Sequence, residues 1–356
     1  MEVKLVLVVH ESGQNASWEL GPFVKQDLVN PVLQPRNDTE FFCPIRQTLI
    51  KWESKDVFNP AAFVLNGLVH MLYRAEDDVG AFAGTSRIGL ATSSDGLNFT
   101  RLPEPIFYPD NDTALIYEWE GGCEDPRIVQ SENGTFIMTY TAYDGKLARL
   151  LVASSNDLFN WTKHGSIFTN AYNGKFVDQW SKSGSIVTQL QNNSMVTVRL
   201  NGSYWMYWGD TSIFLARSTD LINWIPVVGD NGEPLPIFSP RPGKFDSDLV
   251  EPGPQAILTE HGIFLIYNSK NKADGGDPEI PEGTYSAGQI LFDPNEPTRV
   301  LQRTDQYFFK PDKPYEITGQ VNNVVFLEGL VFFKGQYFLY YGTADSKIAV
   351  AVHTPE

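Results

Sequence analysis

Carboxylates, arginines and one lysine recur at comparable places along this chain. Polar groups open otherwise apolar segments at Phe58-Asn59-Pro60-Ala61, Glu124-Asp125-Pro126-Arg127, Ser181-Lys182-Ser183-Gly184, Val250-Glu251-Pro252-Gly253 and Gln320-Val321-Asn322-Asn323. A second polar layer follows the next apolar stretch, at Tyr73-Arg74-Ala75-Glu76-Asp77-Asp78, Asp144 to Arg149, Trp208-Gly209-Asp210, Asn268-Ser269-Lys270 and Gly342-Thr343-Ala344-Asp345. Taken singly, Asp-Pro, Glu-Pro and Asn-Pro are ordinary turn dipeptides. Five such openings brought to one concavity would instead supply carboxylates, guanidiniums and aromatic rings together, which is the equipment of glycoside cleavage. There one carboxyl stays protonated to donate to the leaving oxygen, while a second carboxylate activates water on the opposite sugar face. Neighbouring carboxylates and partial burial are expected to raise the pKa of the acid.

The rest of the inventory narrows the chemistry. The five histidines, at 10, 70, 164, 261 and 353, have no metal-ligand spacing, so neither metal nor cofactor is expected. No nucleophile elbow and no phosphate-cradling glycine loop occurs. A net charge of -16 spread along the chain would repel nucleic acid and anionic membranes, which leaves a neutral substrate. No apolar stretch approaches the ~20 residues of a membrane span. Val3 to Val9 is too short and poorly flanked for a signal peptide, so an export signal has either been trimmed or never existed. Eight Asn-x-Ser/Thr sequons, at 15, 37, 98, 111, 133, 160, 192 and 201, are what glycosylation requires on a secreted eukaryotic chain, unless Asn-rich turns generate them incidentally; the location stays open, a secreted or periplasmic one with the signal removed included. Cys43 and Cys123 allow one disulfide at most.

The elements that must position these residues are strands. At 356 residues the chain exceeds the usual size of one compact core, so a single domain requires an architecture that grows by repetition. A recurring turn is visible at Ala91 to Phe99, Ala153 to Trp161 and Ala216 to Trp224, each with Ser, Asp and Asn before a closing aromatic. Upstream of each lies a hairpin pattern, at Ala62 to Tyr73, Ile128 to Tyr140 and around Asn201-Gly202 to Tyr207. Looser copies run from Gln255 to Tyr267 and from Val324 to Tyr341. Five units at a period of roughly 45 to 65 residues predict an all-β, five-bladed β-propeller over residues 1–356, a single domain with Lys270 to Tyr285 as a long loop in the fourth blade.

Several of these segments carry a family resemblance. Phe58-Asn59-Pro60-Ala61, Tyr73 to Asp77, Ser86-Arg87-Ile88-Gly89-Leu90-Ala91, Gly121 to Ile128, Tyr207-Trp208-Gly209, Glu251-Pro252-Gly253-Pro254 and Tyr340 to Asp345 together resemble glycoside hydrolase family 130 from about residue 20 onward. The resemblance implies inverting chemistry on β-mannosides with Asp125 as the acid, in some members through a sugar hydroxyl. It also implies that Asn59, Arg74, Asp77, Arg127 and Asp345 hold the mannose, and Arg87, Glu124 and Lys182 are further candidate substrate contacts. Phosphorylases of that family resemble one another in a His-Arg pair where this chain has Trp208-Gly209, and the nearest histidines here are 164 and 261. Dianionic phosphate needs several positive groups, so that loss points to water as nucleophile, while Lys182 and Arg149 keep phosphorolysis open. The local pattern resembles the β-1,2-mannosidase branch, whose two candidate bases map onto Asp210 and Glu251; aspartate is the shorter side chain, which favours Glu251. The expectation is an exo-acting β-mannosidase on mannooligosaccharides, with a mannoside phosphorylase and a non-catalytic mannoside-binding propeller as alternatives.

Overall fold

The computed structural model describes residues 17–82 and 84–355, so the Val3–Val9 stretch, His10 and the Asn15 sequon lie outside it. Among the described residues the chain is nearly all β, with single helical turns at Leu115–Glu118, Ala171–Gly174 and Pro314–Ile317.

The strands form successive antiparallel meanders. Asp56–Leu65, Leu68–Glu76, Ser86–Ser93 and Thr100–Arg101 make the first sheet. Gly122–Gln130, Phe136–Tyr143, Ala148–Ser155 and Trp161–Ser166 make the second. In the third, Ser185–Gln191 pairs with Tyr204–Trp208, which pairs with Phe214–Ser218 and then Trp224–Pro226. In the fourth, Leu249–Pro252 and Ala256–Thr259 share the partner Gly262–Lys270, followed by Tyr285–Phe292 and Val300–Arg303. The fifth runs Val325–Phe333, Gln336–Thr343 and Lys347–His353, and its outer strand is Val24–Lys25 from the other end of the chain.

Apolar side chains alternate along these strands so that each sheet buries both faces. The core is accordingly divided into five clusters, each shared by neighbouring sheets. Phe63 and Leu72 of the first sheet meet Phe136 and Met138 of the second, and so on until Phe338 and Tyr340 of the fifth meet Met71 and Tyr73 of the first. Tyr340 also donates its hydroxyl to the carbonyl of Gly96 in the first sheet's turn.

The recurring turn is a side-chain cage. Asp157 Oδ1 accepts from the backbone of Phe159 and Asn160, Oδ2 accepts from Asn160 Nδ2, and Ser155 caps Leu158. Asp95 and Asp220 repeat the pattern with Asn98 and Asn223. This accounts for the sequons at Asn98 and Asn160 as products of turn chemistry. Cys43 and Cys123 are buried and free. Residues 271–284 lack regular strand and are fixed by Asn271, whose amide donates to the carbonyls of Asp277, Ile280 and Pro281.

The opening of the fifth unit needs correction. Gln320, Val321 and Asn322 are exposed, and the residue that matches Asn59 by register is Glu328, buried in the strand Val325–Phe333. The pairing skips one residue between Phe58 and Pro60 and again between Leu327 and Gly329.

Candidate active site

Bulges at the inner strands turn polar side chains toward one centre. Asn59 and Asp125 adopt left-handed backbone, φ 46 and φ 45, where each strand's pairing is interrupted. Asparagine and aspartate tolerate that conformation better than other side chains, and a bulge re-aims the residue it adds. As a result Asn59 Nδ2 donates to Asp125 Oδ1 at 2.9 Å, and Arg74 Nη1 donates to the same oxygen at 3.0 Å. Asn59 Oδ1 lies over Gly342, where a Cβ would stand 2.3 Å from it, so only glycine fits beneath the amide.

On the other side of Asp125, Lys182 Nζ lies 3.3 Å from Oδ2 and 3.4 Å from Glu251 Oε1. One ammonium therefore contacts both carboxylates, and the two oxygens it touches lie no more than about 7 Å apart. Glu251 also accepts a hydrogen bond from the hydroxyl of Ser183. Arg74 reaches Glu76 at 2.7 Å and Glu124 at 3.1 Å, which adds Glu76 to the residues singled out from sequence. Asp210 Oδ2 accepts the indole N–H of Trp180 at 2.7 Å.

The electrostatics depart from expectation at Asp125, the acid expected from the sequence. Burial pushes the Asp125 carboxyl up, but Lys182, Arg74, the Asn59 amide and Arg127 outweigh it and hold the group well below the usual range. The raised carboxyls are its neighbours. Burial lifts Glu124 to about 7 against the pull of Arg74, and lifts Asp345 to about 7 against the same guanidinium. Burial also raises Glu251, with Lys182 pulling it back. Lys182 stays protonated despite its burial because Glu251, Asp125, Asp210 and Glu124 surround it.

Three expected sugar contacts are placed elsewhere. Arg127 is buried with its Nε and Nη2 on the carbonyls of Gly253 and Pro252, and its Nη1 lies 3.0 Å from Glu328 Oε1. It joins the strand of Asp125 to that of Glu251, and each of its three nitrogens is engaged by a protein partner. Asp77 and Arg87 form a buried pair at 2.7 Å, and Asp77 Oδ1 accepts from the backbone of Val79 and Thr85. Successive side chains of a strand point to opposite faces, so Arg74 and Glu76 face the centre while Asp77 turns away. Arg149 is likewise committed, to Asp144 and Asp178 at 2.8 and 2.9 Å.

Glu328 was missed from sequence. It is fully buried, pairs with Arg127, and burial raises its pKa far above the ordinary carboxylate value, with Asp125 and Glu251 nearby adding to the rise. Its signal was a lone charge in the apolar run Val324 to Phe333.

The end of the strand Tyr204–Trp208 is sterically closed. Trp208 is buried between Phe168 and Phe214, with ring centroids 4.9 and 4.8 Å away. Gly209 has φ +117, and a Cβ there would lie 2.3 Å from the carbonyl oxygen of Ser212. No other residue can take Gly209's place without moving the backbone.

Carboxylates gathered at one centre with cations between them suit glycoside chemistry, and comparison with known proteins makes this a glycoside-active enzyme acting on mannosides. The chain belongs to glycoside hydrolase family 130, whose model, described as beta-1,4-mannooligosaccharide phosphorylase, matches residues 30–356. It is 32% identical to a 1,2-beta-oligomannan phosphorylase of Thermoanaerobacter sp. (strain X514) over 90% of this chain and 94% of that one. A glycosyl hydrolase structure from Bacteroides ovatus is 48% identical with a TM-score of 0.93, covering 97% of both chains. A second structure, also 48% identical with a TM-score of 0.93 over 97% of both chains, comes with the statement that this family of mannoside phosphorylases contains glycoside hydrolases that target beta-1,2 mannosidic linkages in Candida mannan.

Proposed function

We propose that the protein is an inverting exo-β-mannosidase that hydrolyses β-1,2-mannosidic linkages of mannooligosaccharides, on one domain whose five meanders are the blades of a propeller. Asp125 is the acid and Glu251 the base. Asn59, Arg74 and Asp345 cradle the terminal mannose. Lys182 and Arg74 favour the carboxylate form of Asp125, and the neighbouring carboxyls of Glu124 and Asp345 are raised by burial to about 7.

The observation that carries the choice of water over phosphate is Gly209. The positive pair of the phosphorylases would stand at Trp208 and Gly209, and here the first is buried between two rings and the second has no room for a side chain. The remaining cations near the centre are already matched. Lys182 serves two carboxylates and Arg74 three, so a phosphate dianion would meet an excess of negative charge. The phosphorylase reading draws support from the names of the curated relatives.

Product analysis of a β-1,2-mannobiose digest, with and without inorganic phosphate, separates the two. Free mannose released without phosphate, and lost in Asp125→Asn and Glu251→Gln, is the expected result. Mannose 1-phosphate formed only when phosphate is present would overturn it. Binding without turnover, unchanged in Asp125→Asn, would instead indicate a mannoside-binding propeller.

A further inference from the structure

We propose that Trp180 is the stacking platform for the sugar on the leaving-group side of the scissile bond, and that Asp210 is the positioning residue that holds it there and not a base. This rests on reading the Asp125–Glu251 centre as the place of cleavage.

The indole of Trp180 is half exposed, at 50%, although burial is the norm for the other large aromatic side chains near the centre. Among the described residues neither an aromatic ring nor a cation covers its faces. Its orientation is nonetheless fixed, because Nε1–H donates to Asp210 Oδ2 at 2.7 Å, a charge-assisted bond that locks a flat apolar surface in one direction. The backbone reinforces this, since Gly209 N–H donates to the carbonyl of Lys182 at 2.9 Å and ties the segment carrying Asp210 to the one carrying Trp180. An exposed indole that is immobilised in advance suits the apolar face of a pyranose, because little side-chain freedom remains to be lost on binding.

Its location sets which sugar it meets. The terminal mannose lies over Asn59, Arg74 and Asp125, which come from the first and second sheets. Lys182 and Glu251 close the opposite side of Asp125, and Asp210 with Trp180 lies beyond Lys182 toward the surface. Trp180 precedes Lys182 by two residues and is half exposed, so its indole is the aromatic surface offered to a chain that leaves the terminal mannose on that side. Asp210, with one oxygen committed to that indole, is poorly placed to take a proton from water as well.

The test pairs binding with turnover. In an Asp125→Asn background, calorimetry with mannose, β-1,2-mannobiose and β-1,2-mannotriose is expected to show that Trp180→Ala weakens the oligosaccharides about tenfold and leaves mannose unaffected. Asp210→Ala should reproduce most of that loss. Asp210→Asn should recover it, because the amide oxygen still accepts the indole N–H. In the otherwise native enzyme the kcat of Asp210→Asn should fall less than about tenfold, against the ~10²–10⁴-fold cost of removing a general base. Equal weakening of mannose and oligosaccharides, undiminished oligosaccharide binding by Trp180→Ala, or a base-sized loss in Asp210→Asn would each overturn the assignment. Failure of the Asp125→Asn protein to bind any mannoside would sink the reading of the centre itself along with it.

Discussion

Lys182 is the residue on which the candidate chemistry turns. Its ammonium touches the proposed acid and the proposed base at once, so the titration of either carboxylate depends on it. Replacing it with methionine keeps much of the stem and removes the charge. A carboxylate that loses a cation within ~4–6 Å becomes harder to deprotonate, typically by 1–3 pH units. Both limbs of the kcat/KM profile should therefore move to higher pH in Lys182→Met, because the group that must be ionised and the group that must be protonated are raised together. A profile that merely drops in height would show that Lys182 binds substrate and leaves the two carboxyls to other influences. Much of this cluster was legible in the sequence, because repeat symmetry alone brings Asn59, Asp125, Lys182 and Glu251 to equivalent strand openings. Arg127 and Asp77 were misplaced for a local reason. Residue type announces a charge but not the face of the strand it occupies, and a one-residue bulge reverses the faces on either side.

At the scale of single elements, the sheets depend on tyrosines laid across their second strands. Tyr73, Tyr140, Tyr267 and Tyr341 donate their hydroxyls to Glu53, Glu118, Asp246 and Glu316, carboxylates that lie in the connections entering the first, second, fourth and fifth sheets. Each acid is also met by a cation, such as Arg101 on Glu53 and Lys163 on Glu118. The ring of Tyr73 needs the space that Gly89 leaves on the neighbouring strand, where a Cβ would lie 2.4 Å from the ring and 2.7 Å from Trp52. Gly89→Ala should therefore cost about 1–3 kcal/mol through overpacking, read as a lower denaturation midpoint with an unchanged slope. An unaltered midpoint would mean that the tyrosine and tryptophan can shift at little cost. The Asp-Asn turns and Asn-Gly hairpins were readable because turn chemistry is local. The tyrosine–carboxylate ties were not, since each joins residues separated by between 20 and 25 positions that share no motif.

At the scale of the whole molecule, the two ends of the chain meet in one sheet. Val24 and Lys25 pair with Val352 and Ala351, so the outermost strand of the fifth sheet comes from the segment that precedes the first. Repetition in the sequence predicted the succession of units, but not this closure, because a two-residue strand is too short to carry a hydrophobic period. A single buried group secures it. Lys25 Nζ lies 2.7 Å from both Asp312 and Glu316, and it donates to the carbonyl of Lys310 at 2.9 Å. Glu316 is completely buried and sits beneath Tyr341, so Lys25→Met would leave its charge to the remaining donors, the Tyr341 hydroxyl and the backbone of Asp312 and Lys313. With those donors intact the loss should be about 2–3 kcal/mol, below the ~3–5 kcal/mol of a buried pair broken outright. Lys25 makes no contact with the Asp125 centre, so activity per folded molecule should persist while the denaturation midpoint falls. If activity falls in step with stability under conditions where the protein is fully folded, then closure between the first and fifth sheets also sets the distance between Asn59 and Asp125. If neither changes, the strand Val24–Lys25 is held by its backbone pairing alone.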